Sequence, residues 1–236
     1  LVFIWGIIIF ATQYILPVFI ARTRGLDGTT IASMVYIMGA AQVASGFLAL
    51  FLFKVVNRRT VAFIGFIMLA TGTWLQGFMI SEIGLKEIIW PQIIRGLSAQ
   101  LCFLPLVLLS IGYLPSDKIK DGSGLYSLMN RLGAAIGIAA SNTLFELKIT
   151  ENYLEISNIT SKVLYQSQLF LTKLNNLIPK YLSNSPEKIK ITSEILYKIG
   201  IEEASAMAFN QIMLIMGIMA VVISPLIFFV KGLKKE

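Results

Sequence analysis

The chain has 236 residues, of which 56% are hydrophobic and only 14% charged, with a formal net charge of +7 and no histidine. Soluble domains carry about 25% charged residues, so this composition excludes an ordinary water-soluble globule. Without His, and with Cys102 as its lone cysteine, the chain also excludes zinc hydrolases, Ser-His-Asp hydrolases, haem sites and an intrachain disulfide.

Six apolar runs follow one another, at 1–20, 30–53, 60–80, 88–113, 122–145 and 207–230. A hydrocarbon core about 30 Å thick needs roughly 20 apolar residues at 1.5 Å each, so every run is long enough to cross. Backbone groups find no water in lipid, and the runs lack the period-2 alternation of a barrel. The expected fold is therefore all-α: a polytopic membrane protein with five helices in 1–145, a polar insert at 146–206, and a sixth helix with its tail at 207–236.

The first run opens at Leu1 with no Met or basic leader, which reads as the back part of something longer. Pro17 lies near its end. In the second run Ala41, Ser45 and Ala49 fall four residues apart beside Gln42. Lipid tails give apolar helices little reason to associate, so such small-residue faces are expected to pack helix on helix. The fourth run holds Pro91, Arg95, Cys102, Phe103 and Pro105, and Cys102 reads as a small buried apolar residue. The fifth holds Tyr126, Met129, Asn130 and Arg131, followed by a second small-residue face at Gly133, Gly137 and Ser141.

Arg95 and Arg131 carry the strongest signal at membrane depth. A guanidinium there costs at least ~2.5 kcal/mol unless it faces protein or water, so both are expected to point inward. No carboxylate lies near the middle of any run: Asp27, Glu82, Glu87, Asp117, Asp121 and Glu146 are in loops or at run ends. An intramembrane acid or imidazole that would carry a proton is therefore missing from the runs. No metal ligands, nucleotide loop or cofactor site can be assembled from what remains.

The insert is expected to form short amphipathic surface helices at Val163–Leu177 and Ser193–Ile201, with turns at Ile156–Thr160 and Ser183–Pro186. Lys and Arg set the orientation. Lys54, Arg58, Arg59, Lys118, Lys120, Lys231, Lys234 and Lys235 fall on one side, against Arg22, Arg24 and Lys86 on the other. The richer side is expected to be cytoplasmic, with both chain ends there and the insert outside. The positive net charge is then explained by topology and anionic lipid, and nucleic acid is not needed as a partner.

Three stretches together resemble a known family. They are Trp90-Pro91-Gln92-Ile93-Ile94-Arg95-Gly96-Leu97-Ser98, then Phe103-Leu104-Pro105-Leu106, then Gly122 to Ile138 with its Ser123-Gly124-Leu125, Arg131, Gly133 and Gly137. In this order they resemble the carboxy-terminal half of the fourteen-helix drug/proton antiporters of EmrB/QacA type, in the major facilitator superfamily. Ile15-Leu16-Pro17 is similar to the Leu-Pro near the end of that family's ninth helix. The resemblance covers about 1–148 and 205–232. The chain departs from the family at Lys54, where members tend to carry an acid ahead of the basic pair that here is Arg58-Arg59.

The resemblance implies a six-helix half-bundle that packs against a missing amino-terminal half in a bacterial inner membrane. Small amphiphilic substrates would bind near the midplane between the halves. Arg95, Arg131, Asn130 and Gln42 are then the candidates for lining the cavity, with Phe103, Tyr126 and Met129 as apolar contacts. The rival expectation is a transport-inactive remnant or an interaction-only bundle, whose outer insert would retain a docking surface for a periplasmic adaptor protein.

Overall fold

The computed structural model describes residues 1–24, 28–78, 85–112, 114–175 and 186–229. They form α1 (Val2–Arg24), α2 (Gly28–Val55), α3 (Arg58–Gln76), α4 (Leu85–Ile111), α5 (Ile119–Asn175), α6 (Pro186–Ile223) and α7 (Leu226–Phe229), with a 3-10 turn at Ser116–Lys118 and no strand among the described residues. The protein is an all-α polytopic membrane protein. Five helices, α1, α2, α4, α5 and α6, contain windows long and apolar enough to cross a bilayer. The third apolar run, α3, falls outside that set because Arg58, Arg59, Thr71, Thr73 and Gln76 dilute its 19 residues. It still packs along α4 and α6 within the bundle, and its length of about 28 Å is close to the hydrocarbon thickness.

Proline positions explain several boundaries. Pro186 opens α6, where its missing N–H costs nothing. Pro225 lies in the turn that separates α6 from α7, where the Ser224 N–H still donates to the Ala220 carbonyl at 3.1 Å. Pro17, Pro91 and Pro105 each remove a donor but stay inside α1 and α4.

The insert departs from expectation. Instead of short surface helices joined by turns, α5 continues unbroken for 57 residues, through Ile156–Thr160, and α6 is already helical from Pro186. That segment of α5 holds no Gly or Pro, and Ser, Asn and Thr disfavour helix only by tenths of a kcal/mol each. Contacts from α6 anchor α5 just before that segment: the Asn152 amide donates to the Ala204 carbonyl at 3.4 Å, Tyr153 meets Tyr197 edge-on at 5.3 Å, and Gly200 lies against the Tyr153 ring. At 1.5 Å per residue α5 is about 85 Å long, far more than a bilayer requires. Residues 183–185 of the second expected turn lie outside the described residues, as does the basic tail with Lys231, Lys234 and Lys235.

Helix seams are built on small residues. α1 and α5 run parallel, with Gly133 against the Phe3 carbonyl and Gly137 so close to Ile7 that a Cβ would come within 2.6 Å of its carbonyl oxygen. Tyr14 donates to Asn142 Oδ1 at 3.3 Å farther along this seam, and Arg22 pairs with Glu146 at 2.5 Å. Ser141 is buried on the same face of α5. α2 runs parallel to α4, with Ala41 and Met38 on Gly96, Ser45 donating to the Leu97 carbonyl, and Ala49 buried against Val61 and Leu101. α3 is antiparallel to α4, its Gly65 over Leu101 and Cys102 and its Gly72 over Arg95. It also lies antiparallel to α6, where Phe63 and Phe228 rings sit 5.3 Å apart. The main core runs from Trp5 through Phe66, Phe145 and Met213, with Phe19 and Phe209 stacked at 4.4 Å. Burial is uneven: 56% of the α1 apolar window is covered, against 17% for α2 and 28% for α5.

Candidate functional site

Where α4 and α5 diverge at the end of the bundle nearest Leu1, an open groove of about 430 Å³ forms between them. Phe103, Leu104, Val107 and Ile111 line it from α4, each about one turn along from a neighbour, and give it an apolar wall. From α5 come Ser123, Tyr126, Ser127, Asn130 and Arg131. A chain of aromatic contacts supports the floor: Trp5 of α1 meets Phe103 at 5.5 Å, and Phe103 meets Tyr126 edge-on at 6.0 Å. Tyr126 is 8% exposed and its hydroxyl has no hydrogen-bond partner.

Periodicity explains how one helix serves two roles here. Ser123, Ser127 and Arg131 fall four apart and share the groove face of α5, whereas Gly133, Gly137 and Ser141 fall four apart on the face pressed against α1. Asn130 sits at the border. It lines the groove, yet its carbonyl and side-chain oxygens lie against Gly6 of α1, whose missing side chain makes the approach possible. Arg131 is exposed and forms no ion pair with any described residue.

Four of the seven cavity candidates therefore meet in the groove: Phe103, Tyr126, Asn130 and Arg131. Met129 is half-buried and Gln42 lies on α2, whose contacts are chiefly with α4; neither lines the groove. Arg95 does not line it either. Its side chain is fully buried between α1, α3 and α4. One terminal nitrogen donates to Gln76 Oε1 at 2.8 Å and Gln92 Oε1 at 3.1 Å, and the other to Thr12 Oγ1 at 2.6 Å. Gln76 in turn donates to Gln92 at 3.2 Å, and the Thr12 hydroxyl donates a hydrogen bond to the Ile8 carbonyl at 2.7 Å.

No carboxylate among the described residues pairs with Arg95, and its Nε has no partner. Neutral oxygens alone thus offset the cost of a charge in a dry interior, which is tolerable because a guanidinium spreads its charge over several donors. Gly72 completes the arrangement: a Cβ there would come 2.7 Å from Arg95 Cγ, so only glycine leaves room for the arginine stem. Arg95 consequently braces three helices to one another.

Sequence reasoning did not single out Ser123, Ser127, Leu104, Val107 and Ile111 of the groove, nor Thr12 and Gln92 of the brace. A four-residue spacing of polar groups ending on Arg131 was the available signal for the serines. Thr12 and Gln92 are ordinary within apolar runs, and only the rotation of their helices brings them to Arg95.

No protein-family model matches the chain. Over 234 residues, or 99% of its length, it is 26% identical to the "Colistin resistance protein EmrB" of Acinetobacter baumannii, of which it spans 45%. The chain is thus similar to that relative along nearly its whole length while spanning about half of it.

Proposed function

We propose that this chain is the carboxy-terminal half of a proton-coupled multidrug efflux transporter of a bacterial inner membrane, exporting amphiphilic compounds. The observation that carries this reading is the groove, which brings Phe103, Tyr126, Asn130 and Arg131 together on two helices. Its mixed lining suits a molecule that is part oily and part polar. The poorly covered windows of α2 and α5 are the surfaces on which an amino-terminal half would pack. Substrate would then sit between the halves, and rocking of one against the other would expose it alternately to the two sides. Both chain ends face the cytoplasm in this reading, and the α5–α6 extension projects outward, where a periplasmic adaptor protein would dock.

The test is dye efflux from cells expressing the chain together with the amino-terminal half of a related transporter. Arg131→Ala lowers efflux severalfold while membrane insertion is unchanged; unaltered efflux removes Arg131 from the mechanism. For orientation, Ser185→Cys in a Cys102→Ser background labels with an impermeant thiol reagent in intact cells, and labelling only after lysis inverts the topology.

A second reading, a bundle that inserts but transports nothing, draws on one specific observation. Neither the groove lining nor the Arg95 cluster includes a carboxylate to carry a proton. In the transporter reading that group resides in the other half; in the second it is lacking, and co-expression yields no efflux.

A further inference from the structure

We propose that the outer seam between α3 and α6 binds one anionic phospholipid, its headgroup held by Arg58 and Arg59 and an acyl chain laid along the two helices. By their contacts the helices form an arc, α2–α4–α3–α6–α5, with α1 inside it. The poorly covered α2 and α5 are the two ends of that arc, so a partnering half closes the side between them and leaves the α3–α6 seam, at the back, to lipid. The seam faces lipid whether or not the protein transports anything.

Charge sets the choice of lipid. α3 begins Arg58-Arg59 with no acidic residue in its first turn, and neither arginine joins an ion pair with any described residue. Neighbouring charge does not offset them. At the same end of the bundle Asp117 and Asp121 balance Lys118 and Lys120, Lys54 closes α2 with the same sign as the arginines, and the sequence beyond Phe229 carries three lysines against one glutamate. Because α3 is about as long as the hydrocarbon layer is thick, its first residues lie at one boundary, at headgroup depth. Basic side chains there attract anionic lipid over zwitterionic lipid. Below them the seam supplies an apolar track. Arg59 falls one turn before Phe63 on the same face of α3, and the Phe63 ring meets Phe228 of α7 at 5.3 Å. Farther along, Gly217 of α6 lies against the backbone of Ala70 and Trp74, and this close approach sets Ile67 and Trp74 of α3 beside Ile218 and Val221 of α6. All four are exposed. From Phe63 to Trp74 the track runs about 17 Å, close to the depth of one leaflet.

The test uses the 236-residue chain with Ile67→Trp as a reporter on the track, and with Trp74→Phe and Trp90→Phe so that only the buried Trp5 adds a constant background. In phosphatidylcholine nanodiscs, a small fraction of phosphatidylglycerol brominated on its acyl chain quenches the reporter roughly fivefold more than the same fraction of brominated phosphatidylcholine, the preference expected of basic side chains at a headgroup. Arg58→Gln with Arg59→Gln removes most of that preference, whereas Arg58→Lys with Arg59→Lys retains it. Lys118→Gln with Lys120→Gln takes the same charge from the same end of the bundle and leaves the preference in place. Equal quenching by the two brominated lipids, with both arginines present, overturns the proposal. So does a preference that the lysine pair abolishes as fully as the arginine pair, because a diffuse positive field would then be its cause and no site at the seam would be needed.

Discussion

Arg95 and Arg131 are each the single arginine within an apolar run, and hydropathy treats them alike. Arg95 is 0% exposed, caged by Gln76, Gln92 and Thr12, and it fixes α4 to α3 and α1. Arg131 faces an open groove and pairs with nothing described. The difference teaches that charge at membrane depth has two solutions. One guanidinium is satisfied internally and becomes structural, and the other stays exposed on the groove wall.

The largest effect is expected at the seam that positions the groove. Gly133→Val places a side chain where the Phe3 carbonyl already sits, and pushing α5 off α1 costs about 3 kcal/mol. Thermal unfolding in detergent should show a large drop in Tm, and the groove should be lost with the seam. An unchanged Tm would mean that α1 and α5 do not approach so closely.

Next in size is the brace itself. Arg95→Met removes the shared donor and leaves Gln76, Gln92 and Thr12 partly unpaired, at a cost of about 2 kcal/mol. Arg131→Met should shift Tm by no more than about 0.5 kcal/mol equivalent, since it breaks no described contact. Comparable shifts for the two would erase the distinction between them.

A similarly small effect is expected at Arg22 and Glu146. Their side chains are 37% and 53% exposed, so Glu146→Gln should cost well under ~1 kcal/mol, less still in high salt. A loss near that of Arg95→Met would make this pair a latch rather than a surface contact.

Much of this organisation is legible in the residues before any coordinates. Run length identifies the crossing helices, and the four-residue spacing of Gly133, Gly137 and Ser141, like that of Ala41, Ser45 and Ala49, identifies faces that the fold uses for packing. Rotation about the helix axis is not legible, because helices apolar on nearly every side give no moment to orient them. That is why Arg95 reads as a cavity residue and turns out to be a brace, and why Met129 and Gln42 stand outside the groove. The length of α5 is hidden for a different reason. Ser157, Asn158 and Thr160 have the composition of a turn, yet the helix that α6 anchors just before them, at Asn152 and Tyr153 through Ala204, Gly200 and Tyr197, runs on through them.

The most direct test of the two-arginine account is the accessibility of the serines beside them. In a Cys102→Ser background, Ser127→Cys lies in the groove with Arg131, and Ser98→Cys lies one turn from Arg95 in a position that is 0% exposed. A water-soluble maleimide applied to the protein in detergent should modify the first promptly and the second only after denaturation. Similar labelling rates at both positions would contradict a sealed brace beside an open groove.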